Sequence, residues 1–288
     1  MNLAIIGTGY VGLVTGTCFA QKGNKVICVD NDQNKLNQLK KGEVPIFEPG
    51  LAEMVRESSN SGNLSFTEDL KFAVENSDII FFCLPTPTLE DGASDTKYVF
   101  GVASQIGKFF NKPKIIANKS TVPIGTTEKI VDIISQNTTK DFAVVSNPEF
   151  LREGFTVADF MKPDRVVIGS ENFEAAEILK DLYLGFVENE DQILIMDSRS
   201  SEMSKYAANS FLATKITFIN EIANLCYKLG ANVDFVKDAM GMDPRIGKRF
   251  LNPGLGLGGS CFPKDIKALY PNLYLLAINP NCIFHKYI

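Results

Sequence analysis

The first thirty residues place a glycine-rich turn between two short apolar runs, which restricts the fold more than any other feature. The run at residues 3–6 leads into Gly7-Thr8-Gly9-Tyr10-Val11-Gly12, and residues 26–29 end at Asp30. A strand, a tight turn, a helix and a second strand in this order open a doubly wound sheet. Apolar runs continue to alternate with helical periodicity, so the sequence predicts an α/β fold with a doubly wound parallel (Rossmann-like) sheet. The strand-like runs are residues 3–6, 26–29, 79–83, 115–118, 143–146, 166–168 and 193–195.

Each glycine of this turn is predicted to have a separate role. Gly7 permits the tight turn, Gly9 lets backbone amides approach a pyrophosphate, and Gly12 lets the helix pack against the sheet. Asp30 closes the second strand, where a carboxylate accepts hydrogen bonds from ribose hydroxyls and repels a 2′-phosphate. The sequence therefore predicts NAD rather than NADP as the cofactor. The competing interpretation is a glycine-rich turn that binds no ligand.

Charge and cysteine content exclude several classes of function. The 29 basic and 34 acidic residues give a net charge of -5, which argues against non-specific binding of nucleic acid. Residues 1–21 carry no charged side chain, but they lack the basic start of a signal peptide. The six cysteines form no Cys-x-x-Cys pair, and His285 is the only histidine. We therefore expect a cytoplasmic protein with no membrane span, no nucleic-acid partner and no metal site.

The chain changes character near residue 198. Residues 198–229 contain neither proline nor glycine, which predicts one long helix that Gly230 ends. Residues 232–240 indicate a further short helix. After Leu269 the amphipathic order is lost, and we expect no well-formed helix there. The predicted divisions are residues 1–197 as a dinucleotide-binding domain, 198–269 as a helical region for dimerisation and catalysis, and 270–288 as an aberrant tail.

Cys261 is a candidate nucleophile. It follows four glycines within residues 254–259 and precedes Lys264. The glycines let backbone amides line a ligand, and a nearby lysine at a predicted helix start favours the reactive thiolate. Without these neighbours, a single cysteine is more often a small buried apolar residue.

Polar residues cluster at other predicted strand ends and on the long helix. Residues 147–154 begin where a predicted strand ends, the edge at which doubly wound sheets bind ligands. The alternative for this segment is a loop with a salt-bridged helix cap. Residues 85–88 and 120–123 also follow strands and offer hydroxyl groups. Lys205 and Asn209 are four apart on one helix face, which indicates either a cleft or a solvated stripe.

Taken in order, these motifs resemble those of the UDP-glucose 6-dehydrogenases, within the wider family of NAD-dependent nucleotide-sugar dehydrogenases. The resemblance extends from Met1 to about Leu269. Residues 151–154 and 163–169 are more similar to UDP-glucose enzymes than to those for GDP-mannose or UDP-N-acetylmannosamine. The resemblance implies a homodimer that oxidises UDP-glucose to UDP-glucuronate with two NAD per turnover. Another nucleotide sugar is one alternative; a hydroxyacid dehydrogenase of the 6-phosphogluconate type is another, but it does not explain Cys261.

The resemblance also implies a role for each site residue. Cys261 would add to the intermediate aldehyde, and oxidation of the resulting thiohemiacetal would give a thioester that water cleaves. Lys205 and Asn209 would stabilise developing oxyanions. The other catalytic residues would be Asp265, Glu149 and Thr121. Residues implied to hold NAD are Gly7, Gly9, Tyr10, Val11, Gly12, Asp30, Lys35, Thr86, Thr121, Glu153 and Lys264. Those implied to line the UDP-sugar site are Glu149, Phe150, Leu151, Arg152, Glu153, Lys205, Asn209, Arg245, Phe250, Leu255 and Gly258.

Two departures from the family pattern affect these expectations. Phe250 and Leu257 occupy positions where bacterial members often have tyrosine or another aromatic, which removes a hydrogen bond to the sugar or phosphate. Family members also continue past Leu269 into a second α/β domain that binds UDP. The resemblance therefore predicts that this chain lacks that domain. A truncated, catalytically impaired NAD-binding fragment is the alternative function.

Overall fold

A single sheet organises the amino-terminal part of the protein. The computed structural model describes residues 1–259 and 262–275. The strands in these segments are β1 (Asn2–Ile6), β2 (Lys25–Val29), β3 (Leu64–Thr67), β4 (Ile79–Phe82), β5 (Lys114–Asn118), β6 (Phe142–Ser146), β7 (Val166–Gly169) and β8 (Ile193–Met196). They form one sheet in the order β3-β2-β1-β4-β5-β6-β7-β8.

Helices connect most of these strands and continue after the last one. In the described segments they are α1 (Tyr10–Gln21), α2 (Gln33–Lys40), α3 (Leu51–Asn60), α4 (Leu70–Glu75), α5 (Lys97–Ile106), α6 (Thr126–Ser135), α7 (Thr156–Met161), α8 (Phe173–Tyr183), α9 (Ser198–Leu229), α10 (Val233–Gly241) and α11 (Phe262–Leu275). The predicted long helix is confirmed as α9. Gly230 follows it with a φ of 70°, a backbone conformation that glycine adopts without steric cost.

The strand order reverses at β1, whose neighbours are β2 and β4, and this confirms the predicted doubly wound fold class. Such a reversal opens a crevice at the carboxyl ends of the strands, where ligands bind. One pairing differs from a purely parallel sheet, because β7 runs antiparallel to β6 through Ser146 and Gly169. The pair β7 and β8 therefore begins at the edge where β1 to β6 end.

The core lies on both faces of the sheet. Leu3 and Ile5 of β1 belong to one apolar cluster, whereas Ala4 and Ile6 belong to the other. Alternate residues of a strand point to opposite faces, so a continuous apolar run is what a strand covered on both sides requires. The apolar runs thus predict this burial correctly.

Two sequence-based expectations about secondary structure were wrong. Strand β3 was not predicted, because it is a four-residue edge strand in which only Leu64 and Phe66 are buried. Helical order was expected to end near Leu269, whereas α11 continues to Leu275. Pro271 and Asn272 indicated a break, but a proline removes only one hydrogen bond and the helix continues past it. Residues 276–288 of the predicted tail lie outside the described residues.

The chain divides into two compact units. The first contains residues 1–86 and 95–205, and the second contains residues 87–94 and the chain from Tyr206 onward. The division lies within α9, whereas the sequence analysis divides the chain after residue 197. In the segments that the structure describes, no helix combines the length and apolar character needed to cross a membrane.

Candidate active site

The glycine turn between β1 and α1 has the geometry of an anion cradle. Gly7 has a φ of 94°, and a Cβ on Gly12 would lie 1.8 Å from the carbonyl oxygen of Gly7. A Cβ on Gly9 would meet no atom within 4 Å. Gly9 also caps α1 without a side-chain hydrogen bond to the first-turn amides. The space beside Gly9 and the exposed start of α1 therefore fit a pyrophosphate, as a dinucleotide requires.

Asp30 lies directly after β2 and faces this turn. Its Oδ2 atom accepts hydrogen bonds from the backbone amide and hydroxyl of Thr8, at 2.9 and 2.6 Å, and from Nζ of Lys35 at 2.9 Å. Burial alone would raise the pKa of Asp30, but the hydrogen bonds from Thr8 and Lys35 lower it to about 2. The carboxylate is therefore charged at neutral pH, the form that accepts hydrogen bonds from a ribose and repels a 2′-phosphate.

Replacement of Asp30 by asparagine is expected to reduce the preference for NAD over NADP. The amide keeps the size of the side chain but removes the charge that repels a 2′-phosphate, so we expect about a tenfold fall in the ratio of the two affinities. Calorimetric titration with each dinucleotide measures this ratio. Asp32→Asn is a matched control, because Asp32 caps α2 and asparagine caps helices equally well. An unchanged ratio in Asp30→Asn would contradict the assignment.

Hydroxyl-bearing loops after β4 and β5 lie against each other. The hydroxyl of Thr86 donates to the carbonyl oxygen of Thr121 at 2.8 Å, and the backbone amide of Leu84 donates to Oγ of Ser120 at 2.8 Å. Thr86 is buried. The structure thus brings together the two segments that the sequence analysis placed near a cofactor.

A buried ion pair lies beyond the carboxyl end of β6. Nζ of Lys205 is 3.1 Å from Oε1 of Glu149, and the two side chains are only 5% and 8% exposed. The other carboxylate oxygen of Glu149 accepts the backbone amide of Leu151 at 2.6 Å. Nζ of Lys205 also lies 5.3 Å from the ring centroid of Phe150. A charged acceptor and a charged donor therefore stand together at the ligand-binding edge of the sheet.

A second buried lysine supports the same segment, and sequence analysis missed it. Nζ of Lys119 donates to Oδ1 of Asn147 and to the hydroxyl of Tyr183, both at 3.2 Å, and that hydroxyl donates to Asn147 at 2.7 Å. Burial lowers the pKa of Lys119 to about 8, while the charge of Glu149 opposes this shift. The available signal was a lysine directly after the apolar strand β5, where a charged side chain is rarely buried unless it has polar partners.

Residues 152–156 join this segment to α7 and to the glycine turn. The guanidinium of Arg152 pairs with Asp159 of α7 at 2.5 Å, whereas the N-cap residue of α7, Phe155, makes no side-chain capping hydrogen bond. The backbone amide of Gly154 donates to the hydroxyl of Tyr10 at 2.8 Å and to Oε1 of Glu48 at 2.6 Å. Glu48 is buried and was also missed. Its only signal in the sequence was its place before Pro49 and Gly50, two residues that favour turns.

The second unit holds a separate group of predicted residues. Nδ2 of Asn209 donates to Oδ2 of Asp265 at 2.6 Å, and Nζ of Lys264 lies 2.7 Å from Oδ1 of Asp265. Asn209 and Asp265 are buried. Both oxygens of one carboxylate are thus held by neighbouring donors, so Asp265 has a fixed orientation.

The remaining predicted residues are not gathered into either group. Arg245 is exposed and pairs with Asp243 of its own loop. Phe250 has a φ of 64°, and its ring centroid lies 6.3 Å from that of Phe262. Val11 and Leu151 pack against the core, whereas Glu153, Leu255 and Gly258 are exposed. Cys261, the predicted nucleophile, lies outside the described residues.

Comparisons with protein families and sequences identify relatives along most of the chain. Residues 1–187 match the NAD binding domain of the UDP-glucose/GDP-mannose dehydrogenase family, and residues 199–283 match its central domain. The UDP-glucose 6-dehydrogenase of Pseudomonas aeruginosa is 47% identical over 274 residues, which cover 93% of this chain and 60% of that protein. The UDP-glucose 6-dehydrogenase TuaD of Bacillus subtilis is 51% identical over 271 residues, covering 93% and 58%. The chain thus spans about three fifths of these relatives.

Solved structures give the same picture. A UDP-glucose dehydrogenase from Pyrobaculum islandicum superposes with a TM-score of 0.91 at 40% identity, over 95% of this chain and 64% of that one. A GDP-mannose dehydrogenase from Pseudomonas aeruginosa gives a TM-score of 0.82 at 33% identity, over 97% and 66%.

Proposed function

The chain belongs to the UDP-glucose/GDP-mannose dehydrogenase family, and we propose that it catalyses the NAD-dependent, four-electron oxidation of UDP-glucose to UDP-glucuronate. The match to the family's NAD binding domain confirms NAD as the predicted cofactor. UDP-glucose is favoured as the substrate because the two bacterial relatives with that name are 47% and 51% identical, against 33% for the GDP-mannose enzyme.

We propose that the two predicted parts of the chain have different roles. Residues 1–197 bind NAD, and residues 198–269 supply the helical region and the catalytic loop. In the first part, the glycine turn and Asp30 supply groups that hold a dinucleotide. Lys35, which pairs with Asp30, and Thr86, which contacts the loop after β5, complete the proposed set. The ordered amides of α1 and the ionised carboxylate of Asp30 support this assignment.

The observation that carries the proposal is the buried pair of Lys205 and Glu149. Removing two charges from water costs free energy, and only close pairing and further hydrogen bonds offset that cost. Lys205 uses one of its three N–H donors on Glu149, so two remain to stabilise an oxygen that becomes negative during alcohol oxidation. Oε1 of Glu149, 3.1 Å from Nζ of Lys205, supplies a carboxylate acceptor for proton transfer without histidine.

The chemistry is shared between the cofactor and this chain. When bound, NAD accepts the hydride in each of the two oxidations. Cys261 adds to the aldehyde through its sulfur, and oxidation of the thiohemiacetal gives a thioester. Asp265 orients the water that cleaves this thioester, and its fixed position between Asn209 and Lys264 supports that role. The sulfur returns to Cys261 as a thiolate when the carboxylate product leaves.

We propose a homodimer in the cytoplasm. Phe211, Phe218 and Leu225 recur at seven-residue intervals along α9 and are 64%, 40% and 51% exposed. A stripe of this kind is typical of a helix that packs against another chain. Among the described cysteines, Cys18, Cys28, Cys83 and Cys226 are buried free thiols, which fits a reducing compartment.

The proposal predicts two NADH for each UDP-glucose consumed. The measurement is NADH absorbance compared with the amount of UDP-glucose that has disappeared. In a Cys261→Ala variant the aldehyde cannot be trapped on sulfur, so the ratio is expected to fall from two to one. Cys226→Ala, which changes a buried cysteine of α9, should keep the ratio of two. A ratio of two in Cys261→Ala would rule out the thioester route.

A NAD-binding fragment without catalysis is the second candidate. It is favoured by one observation: the glycine turn and Asp30 both lie in the first compact unit. Calorimetry distinguishes the two candidates, since the fragment binds NAD but not UDP-glucose. Absence of NAD binding would contradict both.

A further inference from the structure

Arg165 is a partly buried cation to which the described residues supply no ion-paired carboxylate. Its guanidinium carbon lies 3.8 Å from the ring centroid of Phe150. Within the described segments, the structure gives it neither a hydrogen bond nor an ion pair, although a guanidinium carries five N–H donors. Burial lowers the pKa of Arg165, which reflects the cost of keeping this charge away from water. A cation in such a place ordinarily faces an anion.

The fold places Arg165 at the ligand-binding edge. Because β7 runs antiparallel to β6, the residue that precedes Val166 lies beyond the carboxyl ends of the parallel strands. The side chain of Asn147 secures this arrangement, since its Nδ2 atom donates to the carbonyl oxygen of Val167 at 2.9 Å. Arg165 therefore shares the edge of the sheet with Phe150 and Glu149.

Two neighbouring cations form ion pairs, whereas Arg165 forms none with the residues that the structure describes. Lys205 pairs with Glu149, and Arg152 pairs with Asp159. Asp164 raises the pKa of Arg165 through its charge, yet it is exposed and acts on Arg152 as well. No carboxylate of the described chain comes within ion-pair distance of Arg165.

The pyrophosphate of NAD is too far away to be the missing anion. It belongs at the start of α1 next to β1, and β4, β5 and β6 lie between β1 and β7. At about 4.8 Å per strand, the separation across the sheet is about 19 Å. An arginine side chain does not cover that distance. The nucleotide sugar, which carries its own diphosphate, is the other possible source of an anion.

We propose that Arg165 binds the diphosphate of the nucleotide sugar, an inference that rests on the proposed function. Lys205 and Arg165 approach the same ring of Phe150, so two cations flank one aromatic side chain. In a UDP-hexose, one sugar ring separates the reacting C6 from the diphosphate on C1. Lys205 then serves the reacting end and Arg165 the diphosphate, whose oxygens the guanidinium binds through paired hydrogen bonds.

Arg165→Met tests this assignment, because methionine keeps an apolar stem against Phe150 and removes the charge. We expect calorimetry to show at least about tenfold weaker binding of both UDP and UDP-glucose, with NAD binding unchanged. Arg165→Lys should weaken binding less, since it keeps the charge but not the planar fork. Lys162→Met is the matched control, as Lys162 is 80% exposed and lies three residues earlier.

The outcomes separate this inference from the proposed function. If the unmodified chain does not bind UDP-glucose, the proposed function fails first. If the unmodified chain binds it and Arg165→Met binds it equally well, only the role of Arg165 is overturned. Weaker binding confined to UDP-glucuronate would assign Arg165 to the product carboxylate and overturn the diphosphate assignment. Retained NAD binding shows that each variant is folded; if Arg165→Met loses it, Arg165→Lys decides the outcome.

Discussion

Replacement of Lys205 by methionine is expected to lower the free energy of unfolding of the first unit by about 3 kcal/mol. The rate of NADH formation is expected to fall about a thousandfold. The stability loss follows because Glu149, whose side chain is only 8% exposed, would stay buried without the lysine that pairs with it. Urea unfolding followed by circular dichroism measures it, since the chain has no tryptophan to report by fluorescence.

A second variant distinguishes charge from packing. In Glu149→Gln with Lys205→Met both charges are absent, so we expect at least half of the lost stability to return while activity stays lost. Lys162→Met, at an exposed lysine, should leave stability unchanged. The comparison also needs the single variant Glu149→Gln. If the stability loss of the double variant equals the sum of the losses in Lys205→Met and Glu149→Gln, the two side chains have no coupling energy.

The sequence predicts local features of the site well, because short segments carry them. The turn from Gly7 to Gly12 and Asp30 lie within one strand-helix-strand unit, so spacing alone places them together. The pair of Glu149 and Lys205 is different, because 56 residues separate its members. Each residue belongs to a separate motif, and only the strand order brings the end of β6 to the start of α9.

Supporting residues were missed for a related reason. Neither Lys119 nor Glu48 belongs to a sequence motif. Each contacts the segment 147–154 from a distant position in the chain: Lys119 donates to Asn147, and Glu48 accepts the backbone amide of Gly154. The orientation of β7 could not be predicted either, because the apolar pattern of a four-residue strand is the same for a parallel and an antiparallel strand. Arg165 acquires its position from that direction, and therefore could not be identified as a site residue before the fold was known.

Replacement of Gly12 by alanine is expected to disrupt both the fold and the binding of NAD. The added Cβ would lie 1.8 Å from the carbonyl oxygen of Gly7, so the backbone of the turn must move. Alanine is the better helix former by about 1 kcal/mol, yet we expect a net loss of about 3 kcal/mol because the clash is with backbone. NAD affinity, measured by calorimetry, should fall at least about a hundredfold.

Gly9→Ala separates the two effects within the same turn. Gly9 has a φ of -68°, which any residue adopts, and its added methyl group would contact nothing within 4 Å. Stability should therefore stay within about 0.5 kcal/mol of the original. The methyl group nevertheless occupies the open space beside the first amides of α1, so NAD affinity should fall at least about tenfold. Unchanged NAD binding in Gly9→Ala would mean that the dinucleotide does not approach this turn, and the assignment of the whole cofactor site would then fail with it.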